Sequence, residues 1–324
     1  MSSIFSAFVF VILAGLGVSW PEFGQGEDFI LKNLNSGEID YSALKAGVFG
    51  AVSEKPELKQ NPFEKMELEA KSAAVIDLVS GEAIFTKEAD AERPLASLTK
   101  LVTAAVIDDI VSGVADENEK VIMVQPAVNQ TGDDGFFVGE TFIASDLRDA
   151  MLVKSSNDAA QALVLWAESL QPEKAGSYWF VNKMNLFVSE LGMHKTRFLN
   201  ATGLDLGKNV SGSYGTARET AELFSWLIKN KPGLLGQTNK SSMSVYSIEG
   251  REHVFETSAD RLMAVPELIA AKTGFTDLAG GNVVFAFALG PGHQFAAVVL
   301  GSSYDGRFED ALKIYAAAKE RIKP

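Results

Sequence analysis

The sequence has no cysteine, and only three of its 324 residues are histidines. Without cysteine the chain can form neither a disulfide nor a thiolate zinc site, and it has no thiol nucleophile. The absence fits any cellular compartment. The histidines, His194, His253 and His293, are scattered along the chain, which argues against a histidine metal cluster. The sequence therefore predicts no metal site.

Positive charge is scarce as well. The chain has 29 Lys and Arg residues against 42 Asp and Glu residues, which gives a formal net charge of -13. Such an acidic chain argues against nucleic acid or an anionic lipid surface as a major partner. The composition, with 47% hydrophobic and 22% charged residues, is that of a globular protein long enough for one large domain or two ordinary ones.

The N-terminal segment lacks basic residues, because the first Lys or Arg is Lys32. Residues 4–18 nevertheless form an apolar run that is short for a membrane span and about right for a signal-peptide core. Gly17-Val18-Ser19 offers a small-x-small cleavage pattern before Trp20. We predict that residues 1–20 are a signal peptide or an N-terminal membrane anchor. A buried helix of the domain is the alternative, and cleavage stays open.

Residues 21–67 are polar and acidic, which predicts a linker, and the hydrophobic patterns from residue 68 to 324 predict one α/β (α+β) domain. Strands are predicted at 72–77, 82–86, 244–248, 270–273, 282–288 and 295–301. Helices are predicted from 97 onward and at 145–154, 158–169, 175–191, 216–230 and 309–322. Since the strands lie at both ends, we expect one sheet built from both ends, with a helical subdomain inserted at about 116–243.

A hydroxyl and an amine stand three residues apart at Ser97 and Lys100, just after Pro94 and at the predicted start of a helix. Residues i and i+3 share a helix face, so the amine can reach the hydroxyl. A lysine can deprotonate a serine only where burial or a nearby cation lowers its pKa. The Ser-x-x-Lys pattern occurs by chance about once in a chain of this length. A second copy, Ser42 with Lys45, stands in the predicted linker, so the surroundings must decide.

Two further stretches supply those surroundings. Residues 155–157 read Ser-Ser-Asn at a predicted helix-to-helix junction, where the alternative role of Asn157 or Asp158 is to cap the next helix. Residues 272–274 read Lys-Thr-Gly on a predicted strand. The glycine lets a substrate backbone lie along a strand edge, and the lysine and threonine offer a cation and a hydroxyl to a carboxylate.

In this order the three motifs resemble those of the serine penicillin-recognising enzymes, and most closely the low-molecular-weight D-alanyl-D-alanine carboxypeptidases. The similarity runs from about residue 68 to the C terminus and leaves out Ser42 and Lys45. The stretches that carry it are 76–77 with 80–81, 94–100, 152–160, 191–204 and 272–280. The resemblance implies a β-lactamase/transpeptidase-like fold, an antiparallel sheet flanked by helices beside an all-helical subdomain. It also implies that no metal or organic cofactor is needed.

The resemblance further implies catalytic roles for four side chains. Ser97 would be the acylated nucleophile and Lys100 its base. Ser155 would relay a proton to the leaving amine, and Asn157 would hydrogen-bond the penultimate amide of the substrate.

Substrate binding would rest on the Lys-Thr-Gly strand. Lys272 would lower the pKa of the amine network and bind the terminal carboxylate together with Thr273, while Gly274 would allow the close approach. The backbone N–H groups of Ser97 and Phe275 would form the oxyanion hole.

The implied reaction removes the terminal D-Ala of peptidoglycan stem peptides through a serine acyl-enzyme, with β-lactams as further ligands. It implies an extracytoplasmic protein, in the periplasm or cell envelope, secreted or tethered to the membrane by its N terminus. The oligomeric state stays open. Two departures stand out: Ser156 replaces a frequent glycine, and the basic residue expected about fifteen positions before Lys272 has only Arg261 as a candidate, with a surface charge as the alternative.

Other readings remain open. A D,D-endopeptidase or transpeptidase would use the same residues. A class A β-lactamase would need a deacylating glutamate where this chain has Thr196, which counts against rapid β-lactam hydrolysis. The chain could also be an inactive cell-wall binding module. A Ser-His-Asp hydrolase is weaker, because residues 211–215, Ser-Gly-Ser-Tyr-Gly, fail Gly-x-Ser-x-Gly at the first position.

Overall fold

The computed structural model describes residues 61–114, 119–132, 134–171 and 178–323. The predicted signal peptide or anchor, almost all of the predicted linker and the second Ser-x-x-Lys copy at Ser42 and Lys45 lie outside these residues. Among the described residues, no helix is both long and apolar enough to cross a lipid bilayer. They belong to a compact unit that spans Gln60–Pro324.

The strands of the five-stranded sheet lie toward both ends of the described chain, and most helices lie between them, as the sequence predicts; we number all elements in chain order. The strands are β1 (Ser72–Asp77), β2 (Ala83–Lys87), β3 (Arg93–Pro94), β4 (Lys120–Ile122), β5 (Thr141–Ile143), β6 (Arg197–Phe198), β7 (Ser213–Gly215), β8 (Ser242–Tyr246), β9 (Glu252–Glu256), β10 (Leu268–Thr276), β11 (Gly280–Ala288) and β12 (Gln294–Ser302). The helices are α1 (Lys100–Val111), α2 (Gln125–Val128), α3 (Ala144–Lys154), α4 (Asn157–Ser169), α5 (Trp179–Glu190), α6 (Ala217–Asn230) and α7 (Gly306–Arg321). The 3₁₀ helices Ala96–Thr99 and Asp260–Ala264 precede α1 and β10.

The central sheet joins the two ends of the domain. Its five strands lie in the order β10-β11-β12-β1-β2, and all neighbouring pairs are antiparallel. The first strand pairs with the last along its full length, from Ser72 opposite Leu300 to Asp77 opposite Phe295. The prediction of one sheet built from both ends is confirmed.

Helices cover both faces of this sheet, because successive strand residues point to opposite sides. On one face, Phe285 and Phe287 of β11 share a core with Phe308 and Ile314 of α7. On the other face, alternate strand residues such as Val284 share a core with α1 and α3 to α6. The helical block is thus packed on the sheet through one continuous core. The bounds predicted for an inserted subdomain, about 116–243, stay a prediction.

The packed chain begins before residue 68, the predicted start of the domain. Phe63 is buried and stacks on Phe85 of β2 with ring centroids 5.3 Å apart. The backbone carbonyl of Glu67 accepts a hydrogen bond of 3.0 Å from Lys313 of α7. Phe63 thus packs on the edge strand of the sheet although it lies within the predicted linker.

Candidate active site

The turn that carries Ser97 is a 3₁₀ helix, Ala96–Thr99, rather than the first turn of the predicted α-helix. Ala96 has φ of +50°, in the left-handed region that residues with a side chain rarely adopt. Thr99 Oγ1 donates a hydrogen bond of 2.6 Å to the Ala96 carbonyl. A Cβ at Gly203 would lie 1.9 Å from the same carbonyl oxygen, so only glycine fits there. The Thr99 hydroxyl and the backbone at Gly203 therefore both hold the Ala96 carbonyl in place.

The sheet holds the chain just before this turn. Asn282 of β11 is fully buried, and its Nδ2 donates to the Pro94 carbonyl at 2.9 Å. Its Oδ1 accepts from the Gly301 backbone N–H of β12 at 2.8 Å. The side-chain amide of Asn282 thus links the chain before the Ser97 turn to β11 and β12, so the sheet fixes the position of the turn.

Ser97 and Lys100 lie in contact. Lys100 Nζ is 2.9 Å from Ser97 Oγ, and it also donates to Asn157 Oδ1 at 2.7 Å and to the Thr202 carbonyl at 3.0 Å. The ammonium group can donate three hydrogen bonds, and all three directions are used. The amine is thus held beside the hydroxyl by two further acceptors.

Burial makes this amine a base near neutral pH. Lys100 is 0% exposed, and burial, the largest cause, lowers its pKa to about 7. The carboxylate of Asp134 acts in the opposite direction and raises the pKa. The uncharged form of Lys100, which can accept a proton from Ser97, is therefore populated at neutral pH.

The Ser-Ser-Asn segment closes the opposite side of the site. Ser155 ends α3 in the left-handed region, with φ of +68°. Ser156 caps α4, because its hydroxyl accepts from the Ala159 N–H at 3.0 Å. Asn157 is the first residue of α4, and its side chain contacts Lys100. The capping role considered for Asn157 or Asp158 therefore falls to Ser156.

Lys272 connects the Lys-Thr-Gly strand to this segment. Its Nζ donates to Ser155 Oγ at 2.6 Å and to the Thr273 carbonyl at 2.9 Å. Lys272 is 1% exposed; burial first, and then the positive charges of Lys100 and Arg307, hold its pKa well below the ordinary value. The structure thus brings together Ser97, Lys100, Ser155, Asn157 and Lys272.

The end of β10 lies against the Ser97 turn. A Cβ at Gly274 would lie 3.0 Å from the Leu95 carbonyl oxygen and 3.0 Å from the Ser97 nitrogen. Glycine at this position therefore lets the strand approach the turn itself, a reason additional to the predicted approach of substrate. Phe275 follows, 44% exposed, with its ring edge-to-face with Tyr304 at 5.2 Å.

A third basic residue, which the motifs do not include, lies behind the strand. Arg307 of α7 is buried, and its Nη1 donates to the Gly274 carbonyl at 3.0 Å. Its guanidinium stacks on Tyr304 and Phe308 at 4.3 and 4.7 Å from the ring centroids. Arg307 stands 35 residues after Lys272 in the chain, so no local spacing pointed to it.

Arg261, the candidate for the extra basic residue, lies elsewhere. It is half-exposed and forms an ion pair of 2.7 Å with Asp305. The Thr273 hydroxyl instead donates to Ser258 Oγ at 2.8 Å. The surface-charge interpretation of Arg261 therefore fits the structure better.

The described residues support neither a metal centre nor the Ser-His-Asp alternative. Among them, no group of three or more His, Cys, Asp or Glu side chains could hold a metal ion. Ser213, the central serine of the 211–215 stretch, is fully buried, and its hydroxyl hydrogen-bonds Thr99 at 2.5 Å. Thr196 donates to Glu219 at 2.6 Å, so its hydroxyl supports α6.

Known proteins are similar to this chain in sequence and in fold. A family model described as D-alanyl-D-alanine carboxypeptidase matches residues 58–304. The D-alanyl-D-alanine carboxypeptidase DacA of Escherichia coli K12 is 27% identical over 265 residues, covering 76% of this chain and 60% of that protein. The D-alanyl-D-alanine endopeptidase of the same strain is 31% identical over 223 residues, covering 67% of each. The chain thus spans about 60% of the length of the first of these curated relatives.

Solved structures agree with the fold. The penicillin-binding protein D2 of Listeria monocytogenes, in a cefotaxime-bound form, matches with a TM-score of 0.64 at 29% identity. The match covers 78% of this chain and 98% of that chain. The prediction of a β-lactamase/transpeptidase-like fold is confirmed.

Proposed function

The chain belongs to the D-alanyl-D-alanine carboxypeptidase family, and on that premise we propose that it is a serine carboxypeptidase that removes the terminal D-Ala from peptidoglycan stem peptides. One observation carries the proposal: a fully buried lysine with a pKa of about 7 lies 2.9 Å from the hydroxyl of Ser97. This pairing supplies an activated serine without histidine or metal.

In the acylation step, Lys100 takes the proton of Ser97 as Oγ attacks the carbonyl carbon of the penultimate D-Ala. The carbon–nitrogen bond to the terminal D-Ala then breaks, and the leaving amine receives a proton through Ser155, which Lys272 contacts at 2.6 Å. Asn157 binds the amide of the substrate while it holds Lys100. Water then attacks the acyl-enzyme, and Ser97 regains its proton.

Charge that develops on the carbonyl oxygen is stabilised by the N–H groups of Ser97 and Phe275. Removing one such donor typically costs about 10²–10³ in rate. Arg307 supports this role through the carbonyl of Gly274, which shares a peptide plane with the Phe275 N–H. In a trans peptide the two groups point in opposite directions, so a fixed carbonyl also fixes the direction of the N–H.

Carboxylate recognition falls to the hydroxyl of Thr273 and to Lys272, beside Ser155. β-Lactams carry a carboxylate next to a strained amide and acylate Ser97 in the same way. The cefotaxime-bound state of the Listeria relative supports this extension. Because peptidoglycan is assembled outside the cytoplasmic membrane, the protein acts there, exported by residues 1–20.

A D,D-endopeptidase that cuts cross-links is the second candidate. The contact between Thr273 and Ser258 favours it, because a hydroxyl rather than a guanidinium stands beside the carboxylate-binding threonine. The 31% identical relative is an endopeptidase. Because the Ser258 hydroxyl carries no positive charge, the terminal carboxylate of the substrate is less necessary for binding.

The decisive experiment presents three substrates to the full chain. These are a stem pentapeptide ending in D-Ala-D-Ala, the same peptide with an amidated C terminus, and a cross-linked dimer. Mass spectrometry of the products assigns the reaction: free D-Ala from the pentapeptide supports a carboxypeptidase, and monomers from the dimer support an endopeptidase.

A fluorescent penicillin provides the control for an active site. Labelled protein that cleaves none of the three substrates would leave a penicillin-binding protein without this peptidase activity. Protein that is neither labelled nor active would overturn the proposal and favour an inactive binding module.

A further inference from the structure

A carboxylate outside the three motifs holds the Ser155–Asn157 segment in place. Asp134 Oδ2 accepts a hydrogen bond of 2.6 Å from Ser156 Oγ and one of 3.1 Å from the backbone N–H of Asn157. Three residues before it, the Thr131 carbonyl accepts from Asn157 Nδ2 at 2.7 Å. The loop before β5 therefore accepts hydrogen bonds from both the backbone and the side chain of Asn157.

This segment needs support because its geometry is unfavourable by itself. Ser155 has φ of +68°, a conformation that costs energy for a residue with a side chain. The N–H of Asn157 is one of the first-turn donors that a helix leaves without an internal partner. A carboxylate at that point satisfies the donor and interacts favourably with the positive end of α4.

The hydroxyl of Ser156 links the carboxylate to the helix. It donates to Asp134 and accepts from the Ala159 N–H at 3.0 Å, so one chain of hydrogen bonds runs from the loop into the first turn of α4. Ser156 is 1% exposed, which leaves water little opportunity to replace either partner. A glycine at this position would lack the hydroxyl and could make neither bond.

Asp134 is also linked to the base through one residue, because the Asn157 whose N–H it binds accepts a hydrogen bond of 2.7 Å from the Lys100 amine. The groups around Lys100 are Lys272 from β10, with Arg307 of α7 behind it, Asn157 of α4, whose Oδ1 accepts from the amine, and Asp134 from the loop. Asp158, in the first turn of α4, is buried as well. Against burial, the negative charge of Asp134 raises the pKa of Lys100.

We propose that Asp134 is a positioning residue of this active site, which fixes the Ser155–Asn157 segment through Ser156 and Asn157 and supplies a negative charge that acts on the Lys100 amine. This inference rests on the proposed serine peptidase function. It separates two contributions of one carboxylate, a mechanical one made through hydrogen bonds and an electrostatic one felt by the base.

The test measures the rate of acylation by a fluorescent penicillin against pH in Asp134→Asn. The amide can still accept from the Asn157 N–H but carries no charge. Without the charge the pKa of Lys100 falls, so the neutral amine persists to lower pH and the acid limb of the profile moves down by about half a pH unit or more. Loss of packing alone would lower the rate at every pH and leave the limb in place.

Three further variants complete the experiment. Asp134→Glu keeps the charge, so its acid limb should stay near that of the wild type even if its rate falls. Ser156→Ala removes the hydroxyl link but keeps the carboxylate, so its rate should fall with the limb unmoved. Asp146→Asn, an exposed first-turn carboxylate of α3, makes the same change in net charge away from the site and should match the wild type.

The outcomes separate the inference from the proposed function. If the wild type is labelled and the limb of Asp134→Asn does not move, or moves equally in Asp146→Asn, the inference is wrong while the serine peptidase stands. If the wild type is not labelled at any pH, the proposed function fails first. Should Asp134→Asn not fold, as judged by circular dichroism, the smaller neutral Asp134→Ser makes the same test.

Discussion

Two buried regions lie beside the same five-stranded sheet and follow opposite rules. Between α7 and the sheet lies an apolar cluster, in which Phe285 and Phe287 stack at 5.3 Å between centroids. Beside β10 the interior buries two amines, Lys100 and Lys272, and uses left-handed residues such as Ala96 and Ser155. Burial of apolar side chains stabilises the first region. In the second region, burial of the amines costs stability, and it lowers the pKa of Lys100 so that this amine can act as a base. The apolar region thus compensates for the unfavourable geometry that the proposed catalysis needs.

The largest expected effect lies in the amine-rich region. Ser97→Ala should reduce acylation by penicillin by about 10⁵-fold or more, since the loss of a serine nucleophile has that magnitude. The free energy of unfolding should change by no more than about 1 kcal/mol, because Ser97 is only partly buried. Peptide mapping of the labelled wild type and thermal denaturation of both proteins check the two halves. A label on Ser42, or one that persists in the variant, would refute the assignment.

The next effect tests the coupling of the two amines. Lys272→Ala removes a cation and lets water approach Lys100, and both changes raise the pKa of Lys100. The acylation rate should fall by about 10²–10⁴, and the acid limb should move to higher pH, opposite to the shift expected for Asp134→Asn. Substrates without a terminal carboxylate should lose less. Near-normal acylation with an unchanged pH profile would show that the Lys-Thr-Gly strand has no part in acylation.

Much of this architecture could be predicted from the sequence, because period-two and helical patterns in long segments report directly on burial. Strand β1 and helix α6 agree with their predictions to within one residue at either end. The 3₁₀ turn at Ser97 could not be predicted, since its left-handed Ala96 depends on Gly203, which is 107 residues away. Long-range packing of this kind has no local sequence signal.

The candidate site shows the same division. Ser97, Lys100 and Lys272 stand in short motifs and could be named from spacing. Arg307 and Asp134 reach the site from a helix and a loop outside those motifs, so their roles depend on tertiary contacts alone. The hypothesis that Arg261 supplies the missing cation relied on position along the chain, and the chain turns that side chain toward Asp305.

The apolar region should respond in stability rather than in chemistry. Phe285→Ala should lower the free energy of unfolding by about 3–5 kcal/mol, because a fully buried ring leaves a cavity. Acylation by the folded fraction should stay near the wild-type rate at low temperature. Urea denaturation and penicillin labelling measure the two effects, with the exposed Val79→Ala as the control. A large loss of acylation rate in the folded fraction would show that the two regions are coupled.

A gain in stability is expected when the buried amine of Lys100 is replaced. Lys100→Met should abolish acylation yet raise the free energy of unfolding by about 1–2 kcal/mol at pH 6. The gain is smaller than the full cost of burying the amine, because the Asn157 side chain and the Thr202 carbonyl lose a hydrogen-bond donor.

The unfolded chain keeps the Lys100 proton up to about pH 10.5, whereas the folded protein releases it above about 7. The unfolded state therefore binds more protons between these values, and wild-type stability rises with pH across that window. The advantage of Lys100→Met should accordingly be greatest below pH 7 and shrink toward pH 10. Urea denaturation at both pH values measures this, with the exposed Lys120→Met as the control. An advantage that is absent at pH 6, or equal at both pH values, would show that burial of the Lys100 amine does not destabilise the folded protein.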